Sequence, residues 1–194
     1  MHYRVIRFIH NLVFLRKDTF SYRSNYWSDK NTFSEVSGTT GFDLEETKMP
    51  SYWSNNFTQI FLGMRVGDLT IWLTIDLQAT SLHSLIAENI HKPTTLGRNK
   101  WKSLIDGSSL QQECNMEGFK VEYPTVNDDS ALTRIGIISN NEKDCNSCNS
   151  RIGLGSGGTR GGMDGTNSCG NEAEAFKPDN GAKHIKANGY ILVK

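Results

Sequence analysis

Two runs of oxygen-bearing side chains flank a glycine-rich stretch towards the C-terminal end of this chain. Asn140, Asn141, Glu142, Asp144, Asn146 and Asn149 come before it; Asp164, Asn167, Asn171, Glu172 and Glu174 lie inside and after it. Carboxylates, amide oxygens and backbone carbonyls are the ligands Ca2+ takes, about six to eight at a time. Between Arg151 and Gly170, eight of twenty residues are glycine. No apolar period runs through them, so neither helix nor sheet is predicted there, and a loop pinned by nearby cysteines is the expected form. Ordering so much glycine is entropically costly, and an ion held by the flanking oxygens is one way to offset it. An ordinary polar surface loop would have the same composition.

Other chemistries are less well served by the spacing. Gly153, Gly155 and Gly158 satisfy the letter of a dinucleotide fingerprint, but no helix can start among the glycines that follow. His2, His10, His83, His91 and His184 sit in no nucleophile motif, and the acid pairs Glu45-Glu46 and Asp128-Asp129 read as solvated charge. No reaction is expected. The cysteines are Cys114, Cys145, Cys148 and Cys169. An even number suits disulfides in an oxidising compartment, and four admit three connectivities. Pairing Cys145 or Cys148 with Cys169 would close the glycine loop. With Cys114 or His184 as the fourth ligand, Cys145, Cys148 and Cys169 could instead hold zinc, although only one pair is closely spaced. Asn56-Phe57-Thr58 is an N-glycosylation sequon.

The elements that must position these groups are legible in outline. The chain of 194 residues has 21 basic and 21 acidic side chains and no net charge, which argues against a nucleic-acid partner, and no apolar run is long enough to span a membrane. Leu69, Ile71, Leu73, Ile75 and Leu77 alternate with polar residues, predicting a half-buried strand. Gly67-Asp68 should turn it back onto a strand in FTQIFLGMRV. Short helices are expected over 80–105, where Leu82, Leu85 and Ile86 share one face and Trp101, Leu104 and Ile105 another, with Gly107 ending the second. Strands are expected at Phe119–Tyr123, at Arg134–Ser139 and in the closing HIKANGYILVK. Asp43 and Glu46 could cap a short helix that Pro50 would limit. Met1–Leu15 is basic and apolar, like a signal peptide, but Arg7, His10 and Asn11 interrupt it; a first strand is the alternative.

The segment GIISNNEKDCN…RIGLGSGG…SCGNEA with its final GYILVK resembles the C-terminal half of intelectin-type lectins, which belong with fibrinogen-like C-terminal domains. The stretches YWSDKNTF, GFDLEETKMPSYW, SLHSLIA, TTLGRNKWKSLIDG and CNMEGF resemble a cnidarian group labelled uncharacterised skeletal organic matrix proteins. This likeness runs from about residue 17 to Lys194, leaving 1–16 as an atypical N-terminal segment, read as a truncated or misread start. It implies an α+β, fibrinogen-like or intelectin-like domain with a twisted antiparallel sheet, short helices and a loop-rich calcium-binding C-terminal half. It also implies a secreted, extracellular lectin-like protein that binds glycans through Ca2+, or a calcium-binding structural or adhesion module of the matrix that binds no sugar; homo-oligomerisation is left open. Matching the family's motifs residue by residue makes Asn141, Glu142, Asn146, Asp164 and Asn171 the implied metal ligands. Asn171 stands where the family has an acid. Asn141, Asn146 and Asp164 would also face the sugar, with Phe176 and Tyr190 as aromatic walls. Phe61 stands where the cnidarian group often has cysteine, which implies that Cys114 lacks its usual partner.

Overall fold

The computed structural model describes residues 9–14, 18–37, 44–88, 90–123 and 129–194. Asp43 and Met1–Phe8, on which the first helix cap and the signal-like reading rest, lie outside them. The fold is α+β at the coarse level: two antiparallel sheets and a few short helices.

The alternating segment forms the expected hairpin. β3 (Phe57–Val66) and β4 (Leu69–Ala79) pair from Val66↔Leu69 onward around Gly67, whose φ of 59° a glycine adopts without strain. On β4, Leu73 and Ile75 are buried while Thr74 and Asp76 are exposed, as a period of two requires. The chain tail divides at Ala187. β10 (Lys183–Lys186) joins one sheet, and β11 (Asn188–Val193) enters the other between β3 and β1 (Ile9–Phe14). The first sheet has the order β2-β1-β11-β3-β4, where β2 is Thr47–Lys48. Ile9–Phe14 therefore shares a sheet with the rest of the chain.

Pro50 begins a helix where the sequence reading had it limit one. Glu46 is buried, Thr47–Lys48 is extended, and α1 (Ser51–Ser54) starts directly after the proline. A missing N–H costs nothing in a first helical turn, where that donor has no intrahelical partner. α2 (Leu82–Ile86) buries Leu82, Leu85 and Ile86 behind a Ser81–Ser84 capping box; α3 (Arg98–Lys102) buries Trp101 but ends before Leu104, Ile105 and Gly107, and the first two are buried from the turn that follows. Both sheets and these helices close on one core, in which Ile60, Leu62, Leu73 and Ile191 meet Trp101, Phe119, Ile135 and Ile152.

The second sheet corrects the reading of the glycine-rich stretch. Its order is β10-β9-β8-β7-β6-β5, with β5 Lys92–Pro93, β6 Glu113–Val121, β7 Leu132–Asn140, β8 Ser150–Gly157 and β9 Cys169–Ala173. Half of the supposed loop is thus strand. Gly118, Gly136, Gly153 and Gly170 stand opposite one another across four strands. A Cβ on Gly136 would run into the Ile152 carbonyl, and one on Gly170 into the Ile185 carbonyl. Glycine here permits close backbone approach inside a sheet, which composition alone does not distinguish from a flexible loop.

Candidate functional site

The turn between β8 and β9 is organised by a side chain the sequence reading passed over. Arg151 is 1% exposed, and its guanidinium donates to the carbonyls of Gly158 (2.9 Å), Asp164 (2.7 Å) and Asn167 (3.3 Å). The carbonyls of residues 158–167 are thus gathered by a cation of the chain itself. Burial pulls its pKa down to about 10, against the favourable charges of Glu172 and Asp164, so it stays protonated at neutral pH.

Beside this turn lies the loop from β7 to β8. Asn140 closes it: its amide donates to the Asp144 carbonyl (2.5 Å) and to Ser147 Oγ (3.2 Å), and its Oδ1 accepts from Asn141 N (3.0 Å). A disulfide joins Cys145 on this loop to Cys114 on β6, with Cα atoms 5.2 Å apart. Cys148 and Cys169 are free and buried. This overturns the proposed closure of the glycine loop through Cys169 and the expectation that Cys114 is the unpaired thiol. The reason is register: Glu113 pairs with Asn140, which carries the start of β6 alongside the loop. With Cys114 and Cys145 bonded to each other, the zinc set loses its members.

Within the loop Asn149 is 2% exposed, and its Nδ2 donates to Asn141 Oδ1 (2.5 Å). Its own Oδ1 is buried and accepts nothing. Asn141 in turn donates to Glu142 Oε1 (3.3 Å). A Cβ placed on Gly161 would stand 3.2 Å from Asn149 Cβ and 3.6 Å from a ring carbon of Phe176, which is 60% exposed. Asn141, Glu142, Asn149 and Phe176 therefore form one neighbourhood across two loops. Asn146 lies on the adjoining turn, donating to Asp144 Oδ1 at 3.0 Å.

Asp164 and Asn171 belong elsewhere. The Asp164 carboxylate takes Lys186 Nζ (2.8 Å), Thr166 N (2.8 Å) and Thr166 Oγ1 (2.6 Å), and these bonds hold its pKa far below the usual carboxylate range. Next to it, buried Glu172 accepts from Asp164 N (2.9 Å), Asn167 Nδ2 (2.7 Å) and His184 Nδ1 (2.6 Å), while His184 Nε2 lies 3.3 Å from Glu174. The Glu172 bond raises the His184 pKa, partly offset by burial. Asn171 is fully buried and clamps the 107–111 loop: its Oδ1 accepts from Ser109 N, and its Nδ2 donates to the carbonyls of Ser109 and Arg151. Tyr190 is buried in the first sheet with its ring centroid 6.0 Å from that of Trp72, and so does not wall this site. Asn56 is exposed. Arg151 and the paired roles of Asn149 and Asn141 were not read from sequence; an arginine inside a glycine run was the available clue.

Among the described residues no group of three or more His, Cys, Asp or Glu side chains is set to hold a metal ion, and no helix is long and apolar enough to cross a membrane. The chain matches no family model, no curated protein and no solved structure.

Proposed function

We propose that this protein is an extracellular, calcium-dependent carbohydrate-binding module whose ion is held by the loop of Asn141, Glu142 and Asn149. The observation that carries this reading is the buried, unpartnered Oδ1 of Asn149, an amide whose Nδ2 is held by Asn141 Oδ1. A buried amide oxygen without a donor costs about 1–3 kcal/mol unless something satisfies it, and a hard cation does so well. Amide oxygens, one carboxylate and nearby carbonyls suit calcium rather than a soft metal. Bound there, calcium would supply a fixed charge that takes hydroxyl oxygens as ligands. The chain's own contribution is positioning: the Cys114–Cys145 disulfide holds the loop, Asn140 closes it, and the exposed Phe176 ring gives an apolar face beside polar ligands. So few carboxylates place the affinity in the range of extracellular modules, about 10⁻⁴–10⁻³ M.

The test is thermal melting and calorimetric titration with calcium, magnesium and chelator, followed by a glycan array with and without chelator. Calcium should raise the melting temperature, and Asn149→Ala and Asn141→Ala should each abolish most of that rise. Magnesium should substitute poorly because it keeps its waters in a smaller octahedral shell. Identical melting in calcium and chelator would sink the reading. Calcium uptake with no glycan retained would select the structural or adhesion module instead.

A further inference from the structure

Sheet edges are where one protein chain most readily pairs with another, because half of an edge strand's backbone donors and acceptors lack partners in the sheet. Three of the four edges described here are short: β2 and β5 have two residues each, and β10 has four. The fourth, β4, has eleven and, among the described residues, pairs on one side alone, to β3. Its sequence LTIWLTIDLQA carries no Lys, Arg, Pro or Gly, the residues that usually blunt an edge, and a single charge, Asp76.

We propose that β4 pairs antiparallel with β4 of a second copy of this chain, in a two-fold register centred on Leu73. Pairing to β3 is regular from Leu69 to Asp76, and an extra residue enters β4 between Asp76 and Ala79. The midpoint of that run falls between Trp72 and Leu73, and a two-fold through Leu73 places Ile71 opposite Ile75 and Trp72 opposite Thr74 of the other copy. Leu69, 57% exposed, meets the other copy's Leu77 beside a groove of about 440 Å³, where Leu69, Ile71 and Ile105 face a polar wall that includes Lys102, Asp106 and Asn180. The charges are self-compatible. Asp76, whose Oδ1 accepts from Gln59 (2.7 Å), faces the Thr70 hydroxyl of the other copy. The two Asp76 carboxylates fall six positions apart, about 20 Å at strand rise and beyond the screening length of about 8 Å. A second copy is favoured over an unrelated extended peptide because Leu69 and Ile71 then meet Leu77 and Ile75, and each Asp76 meets a hydroxyl and not a second carboxylate.

The register gives a signed test. Thr70→Asp sets carboxylate against carboxylate twice across the two-fold, while Thr70→Lys sets an ammonium against each Asp76. Sedimentation equilibrium of the full chain from about 1 to 100 µM should report a mass of twice 21.7 kDa at the upper end. Thr70→Asp should weaken the dimer roughly tenfold and Thr70→Lys should tighten it. Thr70 lies opposite Arg65 on β3, so the aspartate variant keeps a partner within its own sheet; circular dichroism checks its fold. A wild-type monomer throughout the range would overturn the proposal, as would two folded variants whose dimerisation shifts in the same direction or not at all. If Thr70→Asp fails to fold, the lysine variant alone decides: tightening supports the register, and no change or weakening overturns it.

Discussion

At the scale of single residues, the side chain with the largest structural consequence is Arg151. Its guanidinium is the donor for three carbonyls of a turn that has few side chains to bury. Arg151→Met keeps most of the volume and removes the charge, leaving those carbonyls without their donor and Glu172 with one favourable charge fewer. Breaking a buried, hydrogen-bonded charge cluster in this way costs about 3–5 kcal/mol. Urea denaturation should show that loss, and limited proteolysis should cut within 158–168; a variant with unchanged stability would remove Arg151 from its organising role. His184 gives a second expectation. Its folded pKa is raised above that of the unfolded chain by Glu172, so its contribution to stability is complete below about pH 6.5 and is lost as pH rises through the folded value. An NMR titration should find the His184 ring pKa above 6.5, and Glu172→Gln should lower it. An unshifted ring would contradict the pairing.

The elements respond to different forces. On β4, Leu73 is 1% exposed, and Leu73→Asp places a carboxylate in the core without a partner. That penalty is of the order of several kcal/mol against a typical total stability of about 5–15, so the variant should fail to melt cooperatively near the wild-type temperature. A soluble variant with unchanged melting would mean the strand faces the other way. The β6–loop connection depends on the Cys114–Cys145 disulfide, which spans 31 residues. Its loss through Cys114→Ser should cost about 3–4 kcal/mol in the chain-entropy model. The remaining thiols are inert by burial: that of Cys148 is pushed up to about 12, and that of Cys169 is raised by burial as well. Alkylation followed by mass spectrometry should label neither in native protein and both after denaturation. Rapid native labelling of Cys169 would contradict its place in the core.

At the scale of the whole molecule, Asp179 ties distant parts of the chain together. It holds Arg98 (2.7 Å) and Lys102 (2.5 Å) of α3 and accepts from Leu110 N (3.0 Å). Burial raises its pKa, but these donors outweigh that effect and bring it to about 2. A depressed carboxylate stabilises the fold above its unfolded pKa and loses that contribution as pH falls towards the folded one. The knot should therefore contribute roughly 2 kcal/mol at neutral pH that disappears between about pH 4 and pH 2. Asp179→Asn should be less stable at neutral pH and show a flatter acid limb in denaturation. Equal acid sensitivity of the two proteins would assign the limb to other carboxylates.

Local sequence determined the β3–β4 hairpin and the face of α2. Each depends on periodicity within a dozen residues, and burial then follows from the hydrophobic effect acting on a face already apolar. The oxygen-rich stretch around Asn141 and Glu142 was legible from composition. What sequence could not settle was pairing between distant segments. The disulfide partner of Cys145 depended on the β6–β7 register, the role of Asn171 on a loop 62 residues away, and the path of the tail on its switch of sheets at Ala187. Gly118, Gly136, Gly153 and Gly170 read as flexibility one at a time and become a packed seam once four strands align. Only the tertiary structure decides such contacts, because a glycine's tolerance for close approach and an arginine's donors gain meaning from what lies against them.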